Sequence, residues 1–168
     1  MVFGLVKVEK YVVYFTEPGP ENTSDVIRAV ARRVEEGDVG TVVVASTSGR
    51  TGLMFAEALK GKARVISVSH ERMESEFKEK IVELGGVAAD ETHLPLHERG
   101  MDDVRNAFYS LGQGFKVAVE VVLIASDRRL IKPYDIIKYP KAQVLHNLTY
   151  SKNIVISSYS PYGGTGFH

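Results

Sequence analysis

Short β-branched runs alternate with helically spaced apolar segments, and each change of period falls on glycine, proline or a cluster of hydroxyl side chains. Val39 to Ala45 reads as a strand, and its apolar end Val42-Val-Val-Ala45 gives way without transition to Ser46-Thr-Ser-Gly-Arg-Thr-Gly52. Thr51 to Lys60 then has helical spacing and stops at Gly61, and Ala63 to Ser69 is again a strand. Met73, Phe77, Ile81 and Leu84 mark a further helix closed by Gly85-Gly86. Strands alternating with helices predict a parallel sheet in an α/β fold.

The flanking segments extend the pattern. Tyr11-Val-Val-Tyr-Phe15 is β-branched and aromatic and ends at Glu17-Pro-Gly-Pro20, where proline can neither donate to a ladder nor continue a helix, so a buried strand ending in a turn is expected. Asn22-Thr-Ser-Asp25 can cap a helix whose apolar face is Val26, Ile27, Val30, Ala31 and Val34, running to about Gly37. His93 to Gly100 carries Pro95 and no period, so it reads as a loop, and Val104, Ala107, Phe108 and Leu111 open another helix. Phe115 to Ile131 is rich in valine but long and without a turn signal, which predicts a buried helix. Ile136 to Tyr139, Gln143 to Leu148 and Asn153 to Ser158 read as short strands. With 168 residues, 44% of them hydrophobic, and no linker or repeat, residues 1–168 are expected to form one domain.

Composition narrows the function classes. The 21 basic and 21 acidic side chains cancel, so no net field recruits nucleic acid or an anionic membrane. The absence of cysteine removes disulfides, thiolate metal sites and thiol nucleophiles, so redox chemistry would require a cofactor. With neither a long apolar run nor a cleavable leader pattern, a cytoplasmic protein is expected.

Ligands of parallel sheets collect outside the carboxyl ends of the strands, where the Ser46–Gly52 stretch is expected. Free backbone N–H groups and the positive end of a helix dipole would converge there, with Ser46, Thr47, Ser48, Arg50 and Thr51 as further donors. The spacing and lysine of a P-loop are missing, which argues for a monophosphate or bisphosphate rather than a hydrolysed triphosphate. A plain helix cap explains the same residues equally well. On the phosphate reading Gly49 is where the backbone approaches the ligand, so Gly49→Val is expected to abolish binding and leave the fold intact. Glu21, Asn22 and Thr23 at the preceding junction and His70 at the following one belong to the same rim, with capping and an ordinary surface histidine as the competing readings. His93-x-x-x-His97-Glu98 has a metal-like spacing, but Pro95 interrupts the helix that a zinc site would need, and no metal is expected. Glu120 and Asp127 lie seven residues apart on one helical face, for a site role or for salt bridges. The tail Ser157 to Gly166, rich in glycine, tyrosine and hydroxyls, can serve as a ligand cover or as a mobile end.

Ser48-Gly-Arg-Thr51 followed by a helix and by Ala63-Arg-Val-Ile-Ser-Val-Ser69 resembles the C-terminal domain of pyruvate kinase, in which such a loop belongs to the sugar-bisphosphate effector pocket. Tyr14-Phe15, Pro18-Gly19, Glu21-Asn-Thr23, the strand end at Ser46, Gly114 to Glu120, Ala125-Ser-Asp127 and Ile136 are similar to a family of stand-alone archaeal proteins with a pyruvate kinase α/β-like domain. That resemblance implies a three-layer α/β sandwich with a mostly parallel sheet and FMN as cofactor. It puts the FMN phosphate on Ser46, Thr47, Gly49 and Thr51, and the ring near Glu21, Asn22, Thr23 and His70. A non-catalytic sensor of a sugar phosphate or nucleotide is the competing implication. A homo-oligomer is compatible with the apolar 115–131 segment.

Overall fold

The computed structural model describes residues 13–17, 19–37, 39–132 and 153–156. Four strands, β1 (Thr41–Ala45), β2 (Arg64–Val68), β3 (Val87–Ala89) and β4 (Asn153–Ile156), form a parallel sheet in the order β3-β2-β1-β4. Helix α2 (Arg50–Ala58) links β1 to β2, and α3 (Ser75–Glu83) links β2 to β3. Helices α4 (Asp102–Tyr109) and α5 (Gln113–Asp127) lie between β3 and β4, and α1 (Thr23–Glu35) precedes β1.

The register explains the two-sided burial. Val42 pairs with Val65 and Val43 with Ile66, and because successive side chains alternate, each strand supplies both faces. Val42, Val44 and Val65 pack with Val30 and Val34 of α1, Leu53 and Phe55 of α2 and Ile81 of α3. Val43, Ile66 and Val68 pack on the other face with Ala118, Val121, Ile124 and Ala125 of α5. The sheet is thus sandwiched between helices, which is why the 115–131 segment is apolar over so much of its circumference.

Gly52 permits the closest of these contacts. A Cβ there would stand 2.1 Å from Ser67 Oγ and 2.6 Å from Ser67 Cβ, so α2 lies on β2 only with a glycine at this position. Gly86 is similarly confined, since a Cβ there would lie 2.9 Å from Ile81 Cγ2 and from the Val65 carbonyl oxygen.

Some expectations change. Residues 13–15 of the anticipated Tyr11–Phe15 strand are not in a strand, and Tyr14 is 70% exposed; Tyr11 and Val12 lie outside the described residues. β-branched and aromatic content expresses only a fit to a pleated surface, and residues 13–15 have no ladder partner among the described strands. Val87–Ala89 is a strand that the sequence did not announce. Residues 95–97 of the expected loop form a 3₁₀ turn. The expected strands at 136–139 and 143–148 and the Ser157–Gly166 tail lie outside the described residues. Among the described residues no helix is long and apolar enough to cross a membrane.

Candidate functional site

The sheet order makes a crevice at a predictable place. From β1 the chain moves through β2 to β3 on one side, whereas the connection from β3 returns past β1 to reach β4 on the other. The carboxyl ends of β1 and β4 therefore flank a topological switch point, the usual ligand position in open parallel sheets. Val44 pairs with Ile156 at that end, and Ser46 to Thr51 continue from β1.

The turn is built largely from its own hydroxyls. Buried Ser46 accepts the Gly52 N–H through Oγ at 3.2 Å, and Ser48 Oγ accepts the Arg50 N–H at 3.3 Å. Gly49 has a φ of 94°, the left-handed conformation that favours glycine, and starts α2. Ser69 ties the turn to the next junction, donating from Oγ to the Thr47 carbonyl at 3.0 Å and accepting the Glu71 N–H at 3.0 Å. The amides of Thr47, Ser48, Gly49 and Thr51 have no intramolecular partner among the described residues. Thr47 and Arg50 are exposed, and Ser48 and Thr51 half-buried. Two hydroxyls thus cap two helix-start amides, and the other amides stay free at the positive end of α2 among the described residues.

Gly49 carries a structural duty that the sequence did not disclose. An added Cβ would lie 3.1 Å from Phe77 Cβ and 3.5 Å from Met73 Cβ, on the side facing α3. A branched side chain there meets both an unfavourable φ and the α3 contact, so the expectation that Gly49→Val spares the fold is corrected.

The remaining rim residues are placed unevenly. Asn22 Nδ2 donates to the Glu17 carbonyl at 2.7 Å and Glu21 is exposed, both in a 3₁₀ turn, while Thr23 begins α1. Lys62, just before β2, pairs with Glu35 at 2.7 Å, which puts the end of α1 at the amino edge of the sheet and its start at the carboxyl edge. No hydrogen bond or ion pair joins residues 21–23 to residues 46–51 among the described residues. His70 follows β2, directly after Ser69, and pairs with Glu71 at 3.3 Å.

Another polar cluster occupies the face covered by α5. Lys116 and Glu120 stand one helical turn apart, each side chain only 4% exposed, with Nζ 2.6 Å from Oε2. Lys116 Nζ is also 2.7 Å from His97 Nε2 and 5.6 Å from the Tyr109 ring centroid. The turn bearing His97 is clamped from two helices: Glu120 Oε1 accepts the Leu96 N–H at 3.2 Å, and Arg105 donates to the Leu96 carbonyl at 3.1 Å. Burial, followed by the Lys116 charge, holds the His97 ring below its ordinary pKa; Glu120 opposes this, while Arg105 and His70 reinforce it. His93 instead meets Asp127 at 3.4 Å, so the imidazoles of the 93–97 pair turn to different partners, and no group of three or more potential ligands gathers among the described residues. Glu120 takes the salt-bridged role. Lys116 was not singled out from sequence, although its i,i+4 spacing to Glu120 is the signal that finds it.

The described strands and helices form a parallel α/β fold with the β1–α2 turn at its switch point. No protein-family model matches the chain.

Proposed function

We propose that this protein binds a small phosphorylated ligand at the turn between β1 and α2, and that the ligand is FMN, held in a cytoplasmic domain of the pyruvate kinase C-terminal type. The observation that carries the reading is the combination of a switch-point position with the free amides of Thr47, Ser48, Gly49 and Thr51 at the start of α2. Those amides, with exposed Thr47 and Arg50, fit a phosphate dianion; Ser46 and Gly49 shape the turn through buried contacts. FMN would supply hydride or electron transfer, which this cysteine-free chain has no thiol to perform, and the protein would orient it.

A non-catalytic sensor of a sugar phosphate is the second reading. It is favoured by the hydroxyls of Ser46 and Ser48, which are engaged within the turn rather than poised for chemistry. Titration with FMN, riboflavin and fructose 1,6-bisphosphate separates the two. FMN binding at least tenfold tighter than riboflavin, about 1.4 kcal/mol, supports the flavin reading with a phosphate cradle. Affinity for the bisphosphate alone would establish the sensor, and equal affinity for FMN and riboflavin would remove the cradle.

A further inference from the structure

We propose that the Pro95–His97 turn and α4 form an acid-released flap on α5: protonation of His97 breaks the Lys116 contact that holds the turn, and both elements open while the sheet stays folded. The contact itself dictates the chemistry. An ammonium group has donors only, so Lys116 Nζ at 2.7 Å requires Nε2 of His97 as its acceptor, and a doubly protonated ring has no acceptor left. Acid thus turns a hydrogen bond into two cations in contact. Lys116 cannot withdraw, because its side chain is 4% exposed and its Nζ lies 2.6 Å from Glu120 Oε2. The imidazole is 33% exposed, so the ring is the partner that moves, and the turn that bears it moves with it.

The same lysine also helps to hold α4. Its ammonium lies 5.6 Å from the Tyr109 ring centroid, Arg105 donates to the Leu96 carbonyl at 3.1 Å, and the Phe108 and Phe115 ring centroids are 6.0 Å apart. No residue of α4 is itself buried, so the helix has little apolar anchorage and belongs to the elements that open ahead of a core. Wholly buried Leu96, with its N–H on Glu120 Oε1, keeps the flap shut while the ring is neutral. The charged and titratable groups that bear on the ring are Lys116 and Glu120 from α5, Arg105 from α4 and His70 beyond the end of β2. Asp102 pairs with Arg105, and Tyr109 faces Lys116. Glu120 favours the imidazolium, but its Oε1 is 4.0 Å from Nε2 and both its oxygens are already engaged. Burial and the Lys116 charge outweigh it and hold the closed ring below its ordinary pKa. The open form takes its proton at the ordinary histidine value of about 6.5, so opening grows as pH falls below that value. The growth is at most about tenfold per pH unit, and it levels off once the closed form is protonated as well.

Native-state hydrogen exchange of the full chain, corrected for intrinsic exchange rates, reads this opening without any ligand and so independently of the phosphate turn. The amides of Leu96, Arg105 and Ser110, bonded to Glu120 Oε1 and to the Met101 and Asn106 carbonyls, report the flap, and those of Val43 and Val44 in β1 report the sheet. The flap amides should lose protection by up to about tenfold per pH unit below about pH 6.5, while Val43 and Val44 keep theirs. His97→Gln, whose side-chain carbonyl accepts from Lys116 but does not titrate, should make the protection of the flap independent of pH. His93→Gln, at the neighbouring imidazole that meets Asp127 instead, should leave the wild-type loss in place. Flap protection that ignores pH in the wild type, a loss shared equally by Val43 and Val44, the same loss in His97→Gln, or its disappearance in His93→Gln overturns the proposal. The wild type also decides without any variant: a titration midpoint of the His97 ring resonances at or above about 6.5 shows a closed form that does not resist the proton, and overturns it too.

Discussion

Lys116→Met is predicted to cost about 3–5 kcal/mol of folding stability, because it strands a carboxylate rather than because it removes an attraction. Methionine is close to lysine in length, so little cavity results, and the loss lies in the electrostatics. Both side chains of the pair are 4% exposed, and Glu120 Oε2 has its partner only 2.6 Å away. Without the ammonium, Glu120 keeps the Leu96 N–H on its other oxygen, but its charge is no longer opposed from within hydrogen-bond range. Replacing both residues, as Lys116→Met/Glu120→Leu, removes the stranded charge and leaves the buried Leu96 N–H without its acceptor, a penalty of about 1–3 kcal/mol, while His97, which also loses its Lys116 contact, is exposed enough to turn to water. Apolar packing offsets part of that penalty, so the double variant should lie within about 2 kcal/mol of wild type and well above the single one. For a domain of this size each kcal/mol moves the melting temperature by about 2–4 °C, so the single variant should melt roughly 6–20 °C lower. Urea unfolding at constant m checks the ordering. A single variant within about 1 kcal/mol of wild type would show that the pair behaves like a solvated surface bridge, and would refute the argument.

Four further outcomes follow from other contacts. Gly52→Ala should destabilise by about 1–3 kcal/mol because its Cβ meets Ser67 at 2.1 Å, and Ser67→Gly in the same chain should restore most of the loss; absence of rescue in urea melts would mean that the strain lies elsewhere. Asp90 is held below the usual aspartate range first by the hydrogen bond from Lys78, so it binds its proton later than it does unfolded, and its contribution is complete above about pH 4 and lost as pH falls. Lys78→Met should therefore flatten the acid limb of stability, and an unchanged limb would contradict this. His97, held below its ordinary pKa chiefly by burial, takes up its proton more readily when unfolded, so stability should rise as pH climbs toward the ordinary histidine pKa of about 6.5 and lose that rise in His97→Gln; equal slopes in pH-dependent melts would count against it. Thr51→Glu puts an acid in the first turn of α2, which favours the helix dipole, yet opposes a phosphate, so FMN affinity should fall at least tenfold, about 1.4 kcal/mol, with no drop in melting temperature.

The alternation of β-branched runs with helical spacing was enough to place β1, α2, β2 and α3, since each boundary coincides with glycine or hydroxyl residues whose local chemistry ends an element. Val87–Ala89 escaped because three residues, two of them alanine, have no β-branched run, and the strand exists through pairing with β2. Tyr11 to Phe15 erred in the other direction, with strand composition and no ladder for residues 13–15. The Ser46–Thr51 turn was legible because its hydroxyls and glycine are contiguous. The contact that makes Gly49 and Gly52 obligatory comes from Phe77 and Ser67, distant in sequence, and needs the packed structure to be seen. The His97 cluster was half legible: Glu120 drew attention as a carboxylate in an apolar segment, but Lys116 reads as a solvated lysine until the 95–97 turn is brought against α5.

The claim that a phosphate sits at the start of α2 is tested most directly by amide chemical-shift mapping of the full chain with FMN and with riboflavin. FMN should move the amides of Thr47, Ser48, Gly49 and Thr51 most strongly, those being the ones free of intramolecular partners, and riboflavin should leave them nearly in place. FMN that binds while these amides stay still, or that does not bind at all, would contradict the account.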